Sequence, residues 1–333
     1  MKILITGGAG VLGSSLTGLF LNLGHEVSVI DITRREEAWR LFETSASINS
    51  FNYVWKSEQD ISRSDLEGYD LVFDCAIGFA DRPFGMESPL NTTLSNIIPS
   101  LMILEGARKL ERRPVIVYPS SFNALYGLGR HVTINEEMPP VPTSIYGWTK
   151  ATAELLYRTY FTAYNVPTVI TRTSSTFGPK GRSDELPHKL MLYILNNRKS
   201  FPLRSPKAQR LWTYSEDVLS FYKAFINKLE DKRDIFLGKV LHLGGNRNDM
   251  ILKNLDFASM ISRILGSNIS IEEKEYEPGE IIDGDPVSFK FSAEETRKLL
   301  KWKPQWPLED LLRKTIEWFK SNKFRYQLPI DES

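Results

Sequence analysis

The chain has one cysteine, Cys75, among 333 residues. No internal disulfide can form, which fits a reducing compartment. The 4 histidines are scattered, so a structural zinc site lacks its usual ligands and no metal is expected. No apolar run reaches the ~18 residues a membrane span needs. Met1 is followed at once by KILITGG, already a strand and a turn, which leaves no room for a secretory leader. A cytoplasmic protein that meets no membrane is the expectation. Net charge is also scarce: 42 Lys and Arg against 41 Asp and Glu leave a formal +1. That balance offers no electrostatic case for nucleic acid as the main partner, and RKLERR at 108–113 reads as a solvated helix end. Low-complexity linkers and internal repeats are missing too. With 41% apolar and 25% charged residues, the composition is that of a folded chain, long enough for one large domain or two lobes.

What is present is alternation. KILIT (2–6), EVSVID (26–31), DLVFDCA (70–76), PVIVYPS (114–120) and PTVITRT (167–173) read as buried strands. Helical patterns at 11–23, 92–111 and 145–164 fall between them. This order predicts an α/β fold, a doubly wound parallel sheet covered on both faces. Past residue 175 the loops lengthen, with Pro, Gly and aromatics in FGPKGRSDELP, YEPGEIIDGDP and KWKPQWP, and helices are expected at 184–197, 217–230, 251–266 and 308–322. The division expected is a nucleotide-binding domain over 1–175, with some later segments returning to it, and a smaller substrate lobe over 176–333. Such a lobe would cover the carboxyl ends of the strands, the edge where open parallel sheets bind ligands.

Three glycines carry the first chemical signal. TGGAGVLG spaces Gly7, Gly10 and Gly13 as G-x-x-G-x-x-G between a strand and a helix. The tight turn, the close approach of backbone to a diphosphate and the packing of helix on sheet each call for a residue without Cβ. The helix start, Val11 and Leu12 included, presents free N–H groups and a partial positive charge to phosphate. Asp31 closes the second strand, where a carboxylate accepts the adenosine ribose hydroxyls and repels a 2′-phosphate. NAD is therefore the expected cofactor, with Arg34 and Arg35 nearby to soften the preference.

The second signal is Tyr146 and Lys150 in SIYGWTKATAEL. Residues four apart share a helix face. A phenol titrates near ~10 and must fall by roughly 3 units, about 4 kcal/mol, to serve as a base near neutrality. One nearby cation supplies ~1–3 units. A lysine ammonium plus an oxidised nicotinamide covers the difference. Tyr146 would then take the proton of a substrate hydroxyl while hydride leaves the same carbon, and a serine hydroxyl would steady the oxygen. Tyr-x-x-x-Lys alone is common helix surface; the glycine turn upstream and the strand ending in PSS give it weight.

TGGAGVLG, Asp31, PSSFNALYG and YGWTK together resemble the extended short-chain dehydrogenase/reductase superfamily, and within it the NAD-dependent epimerase/dehydratase family, over nearly the whole chain. The resemblance implies a Rossmann-type sheet and a homodimer built through the helices at 92–111 and 145–164. It places Asp60 and Ile61 beside the adenine. The strand that leads to Ala76 would run past the cofactor, and Asn96 would start the next helix. Tyr146, Lys150 and a serine are the implied catalytic set. Counting back from Tyr126 lands the serine position on Phe122; counting from the strand end lands on Ser121, which is chosen, with Ser120 as the fallback.

The loop after that strand separates reactions. The family's 4,6-dehydratases place an Asp-Glu pair after the catalytic Thr, and its sugar decarboxylases a glutamate two before the YG tyrosine. Here Phe122, Asn123 and Ala124 stand in that stretch. The resemblance then implies hydroxyl–ketone interconversion, foremost epimerisation of a nucleotide sugar through a keto intermediate. A net dehydrogenase or ketoreductase on a small hydroxy substrate, like the short-chain L-threonine dehydrogenases, is the alternative, and a non-catalytic NAD sensor a third. Ser121, Arg210 in QRLWTY and Arg182 in GPKGRSD are the substrate candidates, the arginines as diphosphate or carboxylate contacts; ordinary surface cations are the competing explanation for both. Glu277 and Ser175 stand where many relatives carry a basic residue and an asparagine. The tryptophans are expected to be packing.

Overall fold

The computed structural model describes residues 1–41, 50–78, 88–122, 124–125, 132–244, 250–274, 289–304 and 307–326. Its centre is a parallel sheet of seven strands. They are β1 (Lys2–Thr6), β2 (Glu26–Asp31), β3 (Phe51–Trp55), β4 (Leu71–Asp74), β5 (Val115–Ser121), β7 (Thr168–Thr173) and β11 (Val240–Leu243). The spatial order β11-β7-β5-β4-β1-β2-β3 reverses direction at β1, so the crevice beyond the carboxyl ends of β1 and β4 is the switch point at which such sheets bind ligands. All five expected strands are present. Two more join them. β3 is a half-buried edge strand, and β11 comes from beyond residue 175 to pair in parallel with β7.

Helices follow the strands: α1 (Val11–Asn22), the short α2 (Arg63–Leu66), α3 (Pro89–Arg108), α4 (Ile145–Tyr164), α5 (Leu186–Leu195), α6 (Ser215–Asp231), α7 (Asn254–Ile264), α8 (Glu294–Leu300) and α9 (Leu308–Asn322). Strand alternation sorts the sheet's side chains between two cores. Ile3, Val29, Phe73, Val117 and Leu241 face α1 and α6, while Leu4, Ile30, Val72, Ile116 and Ile170 face α3 and α4. Burial on both faces explains why these strands read as apolar runs. α3 begins three residues earlier than expected, with Pro89 at its first position, where a missing N–H costs nothing.

The remaining strands are β6 (Val132–Ile134), β8 (Ser175–Phe177), β9 (Ser200–Arg204), β10 (Gln209–Tyr214), β12 (Ile251–Lys253), β13 (Ser270–Lys274) and β14 (Phe289–Phe291). They form small sheets, β12-β10-β8, β13-β9 and β14-β6. A third core, with Leu190, Phe201, Trp212, Phe257 and Phe319, packs α5, α7 and α9 together and takes in Phe122, Leu125 and Ile134 from earlier in the chain. Residues 251–253, expected as helix, form β12 instead, paired to β10 before α7 starts. Not every tryptophan is packing: Trp212 and Trp302 are buried, but Trp55 and Trp148 are exposed. Among the described residues no helix is long and apolar enough to cross a membrane.

Candidate active site

The glycine turn is built to the tolerance of its backbone. Gly7 has φ +65, and a Cβ on it would stand 2.7 Å from the carbonyl oxygen of Cys75 and 2.8 Å from Ala76. The turn and the residues just past β4, Ala76 included, are therefore in direct contact. A Cβ on Gly13 would lie 2.3 Å from the Gly7 carbonyl oxygen, and one on Gly8 would lie 2.3 Å from Val29. Gly8, which lies outside the motif spacing, is thus as constrained as its neighbours. Gly10 differs. It is exposed, its φ of −68 suits any residue, and a Cβ there meets only the Gly7 oxygen at 3.2 Å. What Gly10 leaves clear is the approach to the N-terminus of α1, where Val11 and Leu12 begin the helix with N–H groups that have no intrahelical partner. This open cradle fits the diphosphate of a dinucleotide.

Asp31 is buried at the end of β2, and both its oxygens accept backbone N–H groups, from Ala9 at 2.8 Å and Thr33 at 2.8 Å. The carboxylate thus ties the glycine turn to β2, a structural duty that spacing does not reveal. Arg34 lies over the Trp55 ring at 5.2 Å and Arg35 over Phe51 at 5.8 Å, so β3 occupies the two cations that follow Asp31. Asp60 is exposed, and Ile61 is fully buried in the α3/α4 core. The buried acid of this stretch is Glu58, whose carboxyl is pushed up to about 7 by burial, helped by the charge of Asp31 and opposed by the backbone at Gly7. Sequence reasoning missed it; a glutamate two residues before Asp60 carries no motif.

Tyr146 and Lys150 lie in the first turns of α4, whose N-cap Ser144 accepts from Gly147 N at 3.0 Å. Lys150 is buried; its Nζ donates to the carbonyl of Pro119 at 2.9 Å and stands 4.8 Å from the centre of the Tyr118 ring. The helix therefore delivers its ammonium to the carboxyl end of β5, next to both serines. Burial depresses the Lys150 ammonium, and the carboxylates of Asp74 and Glu154 work against that. Glu154 is matched by Arg172 in a fully buried fork, with bonds of 2.8 to 3.2 Å. Ser120 is buried with its hydroxyl unpartnered, and alternation along β5 places it on the face of Ile116 and Tyr118, toward α4. Ser121 closes the strand and is half-buried. Phe122 is core: its ring meets His242 edge-on at 4.9 Å and Phe291 at 5.1 Å. Ala124 is also buried, while Asn123, Tyr126 and Glu277 lie outside the described residues.

Asn96 does not start α3; it sits in its second turn. Its amide nitrogen donates to Thr149 Oγ1 at 3.2 Å, and its oxygen accepts from Gly78 N at 3.0 Å. It clamps α3 to the residue before Lys150 and to the segment leaving β4. Arg210, on β10, is half-buried. Arg182 is engaged by Asp184. A cavity of about 680 Å³ opens between α5, β9 and β13, and Lys189, Arg198, Lys199, Arg204 and Lys274 line it against Asp184 and Glu272. Among the described residues no cluster of His, Cys, Asp or Glu could hold a metal ion.

A glycine turn open at a helix start by the switch point, a buried acid at the end of β2 and a tyrosine–lysine helix whose lysine reaches the end of β5 fit a dinucleotide-dependent oxidoreductase. The profile of the NAD dependent epimerase/dehydratase family matches residues 3–238. A curated relative, dTDP-glucose 4,6-dehydratase 1 of Escherichia coli, is 27% identical, with 97% of this chain and 93% of that protein aligned. Protein CapI of Staphylococcus aureus is 25% identical, over 96% of this chain and 98% of its own. Among solved structures, UDP-glucuronic acid 4-epimerase from Bacillus cereus, in complex with UDP-glucuronic acid and NAD, superposes with a TM-score of 0.84 at 23% identity, covering 96% of this chain and 99% of that one. The chain belongs to the NAD-dependent epimerase/dehydratase family. It is an enzyme, and NAD is its cofactor.

Proposed function

We propose that the protein epimerises a nucleotide sugar through a keto intermediate, with Tyr146 as acid and base. The observation that carries this reading is Lys150, buried and held by the Pro119 carbonyl one helical turn after Tyr146, at the carboxyl end of β5, one strand (β4) away from β1 and its glycine turn. A cation in that place favours the phenolate of Tyr146. Gly7, Gly10, Gly13, Val11 and Leu12 would hold the diphosphate of the cofactor, Asp31 its ribose, and Asp60, Ile61, Ala76 and Asn96 would shape the cleft. Bound NAD supplies the acceptor, and later the donor, of the hydride. Tyr146 takes the hydroxyl proton on the way out and returns it on the way back. Strand alternation favours Ser120 over Ser121 as the hydroxyl that meets the reacting oxygen, because its Oγ is buried, unpartnered and turned toward α4.

Epimerisation is favoured over elimination because Phe122 and Asn123 stand where the eliminating relatives carry their acid pair, and over decarboxylation because Ala124 stands where the decarboxylases carry a glutamate; Phe122 and Ala124 are buried. A nucleotide sugar is favoured by the relatives' substrates and by the predominance of cations in the lobe cavity, which suits a diphosphate. Arg210 and Arg182 are the further substrate contacts of this reading. The working form it takes is a cytoplasmic homodimer, joined through the outer faces of α3 and α4, where Leu90, Leu94, Trp148 and Leu155 are exposed.

The test is incubation of the NAD-loaded protein with UDP-glucose, UDP-glucuronic acid, UDP-N-acetylglucosamine and dTDP-glucose, read by mass spectrometry and chromatography. An isomer of unchanged mass, formed without free NAD and abolished in Tyr146→Phe, is the expected result. Loss of water from the sugar would mean a dehydratase, and accumulation of free NADH a net dehydrogenase. Turnover that survives Tyr146→Phe would remove the basis of the reading.

A further inference from the structure

The chemistry above leaves a buried carboxylate at the end of β4 unused. Asp74 ends β4 on the same face as Val72, pointing at α3 and α4, and it is wholly buried. Three hydroxyls from three different elements reach it: Thr6 Oγ1 of β1 at 3.2 Å, Ser100 Oγ of α3 at 2.5 Å and Tyr157 OH of α4 at 2.8 Å. All three have hydrogens to give, and the set surrounds an acceptor, as an ionised carboxylate requires. A lone carboxylate is costly to bury unless a cation answers it.

Among the described residues two cations are buried, Arg172 and Lys150. Arg172 is consumed by Glu154. Lys150 remains. It lies two helical turns before Tyr157 on α4, and the rings between form a continuous stack: Lys150 Nζ over Tyr118 at 4.8 Å, and Tyr118 against Tyr157 at 4.7 Å, with Tyr157 bonded to Asp74. The two charges do not touch, since Lys150 gives its hydrogen bond to Pro119. Burial is the largest influence on both, raising the Asp74 carboxyl and lowering the Lys150 ammonium, and each charge, with the three hydroxyls on Asp74, opposes that shift. Other titratable groups facing Asp74 are Cys75, Tyr118, Tyr157 and Glu58, and Glu154 faces Lys150. Burial drives Cys75, Tyr118 and Tyr157 upward, away from ionisation.

We propose that Asp74 is the buried counter-charge that keeps Lys150 an ammonium, and that through Lys150 it sets where Tyr146 gives up its proton. Asp74 is a positioning residue, with no contact to the reacting atoms in this role. The inference rests on Tyr146 and Lys150 acting as proposed above.

A substrate-free titration tests it. The phenolate absorbance of the NAD-loaded protein is followed through the neutral range, and the step lost in Tyr146→Phe is assigned to Tyr146. Burial raises Tyr53, Tyr118, Tyr157, Tyr214 and Tyr222, so they are silent there. Asp74→Asn should leave Lys150 neutral and so move the Tyr146 step upward by about one pH unit or more, since one nearby cation is worth ~1–3 units; a downward step, the direct effect of losing a carboxylate, overturns the role of Asp74. Where Asp74→Asn does not fold, the double variant Ser100→Ala with Tyr157→Phe keeps the carboxyl but strips two of its donors, and should move the step in the same direction. An unmoved step in a folded, NAD-loaded variant overturns the role of Asp74 and leaves Tyr146 intact. Absence of any neutral step in the wild type overturns both.

Discussion

Two glycines three residues apart should fail in opposite ways. Gly13→Ala places a methyl 2.3 Å from the Gly7 carbonyl oxygen and 2.7 Å from Gly8 Cα, and both obstacles are backbone. Neither can rotate away, so the turn must open against the sheet. Overpacking costs roughly 1–3 kcal/mol, and with rigid neighbours the upper end applies. Gly10→Ala meets only one oxygen at 3.2 Å, at an ordinary φ and in the open. Its folding cost is that of a poorer N-cap, about 1 kcal/mol or less. Under the proposed function, however, its methyl would stand in the path of the diphosphate. Thermal unfolding of stripped protein, with and without NAD, separates the two effects. At a hundredfold excess over Kd the cofactor contributes about 2.7 kcal/mol to wild type. A tenfold loss of affinity removes about 1.4 kcal/mol of that in Gly10→Ala. Gly13→Ala should instead be several degrees less stable before any NAD is added. Full NAD-dependent stabilisation in Gly10→Ala would show that the diphosphate does not pass over Gly10. Wild-type stability in Gly13→Ala would show that the turn is not close-packed.

Other outcomes follow from the same geometry. Asp31→Asn turns an amide NH₂ toward a backbone N–H, from Ala9 or Thr33, so one buried donor loses its acceptor. A cost of about 1–3 kcal/mol and weaker NAD binding by calorimetry are expected, and unchanged values of both would refute the dual role of Asp31. Glu58 has a folded value of about 7 against an ordinary 4.5, so the folded state holds its proton more tightly. Its contribution is fully present below about pH 4.5 and is lost as pH rises through about 7. Glu58→Gln should therefore be more stable than wild type above neutrality by on the order of 1–3 kcal/mol. Denaturation curves that run parallel at acid and alkaline pH would contradict this. Leu94→Glu combined with Leu155→Glu, both exposed on α3 and α4, should convert a dimer to a monomer by light scattering; a wild-type monomer would end the dimer proposal.

The strands were legible where burial is complete. β1, β2, β4, β5 and β7 are covered on both faces and read as short apolar runs. β3, FNYVW, is a half-exposed edge whose aromatics do not alternate as a run, and β11 hides a buried histidine, His242, among its four residues. α4 was legible to the residue because Ser144 caps it, whereas α3, with Pro99 inside and polar residues in its first half, was placed three residues late.

The glycine spacing, the acid at the end of β2 and the tyrosine–lysine step are local in the chain. Backbone geometry ties each to a few neighbouring residues, so a linear reading reaches the cofactor and the class of chemistry. The surroundings of Asp74 are of another kind. Thr6, Ser100 and Tyr157 come from a strand and two helices far apart along the chain, and nothing local in any of them marks a buried carboxylate. The fork of Arg172 on Glu154 and the turning of Ser120 toward α4 likewise arise when the sheet closes. A buried charge takes its meaning from the groups that replace water around it, and folding chooses those groups.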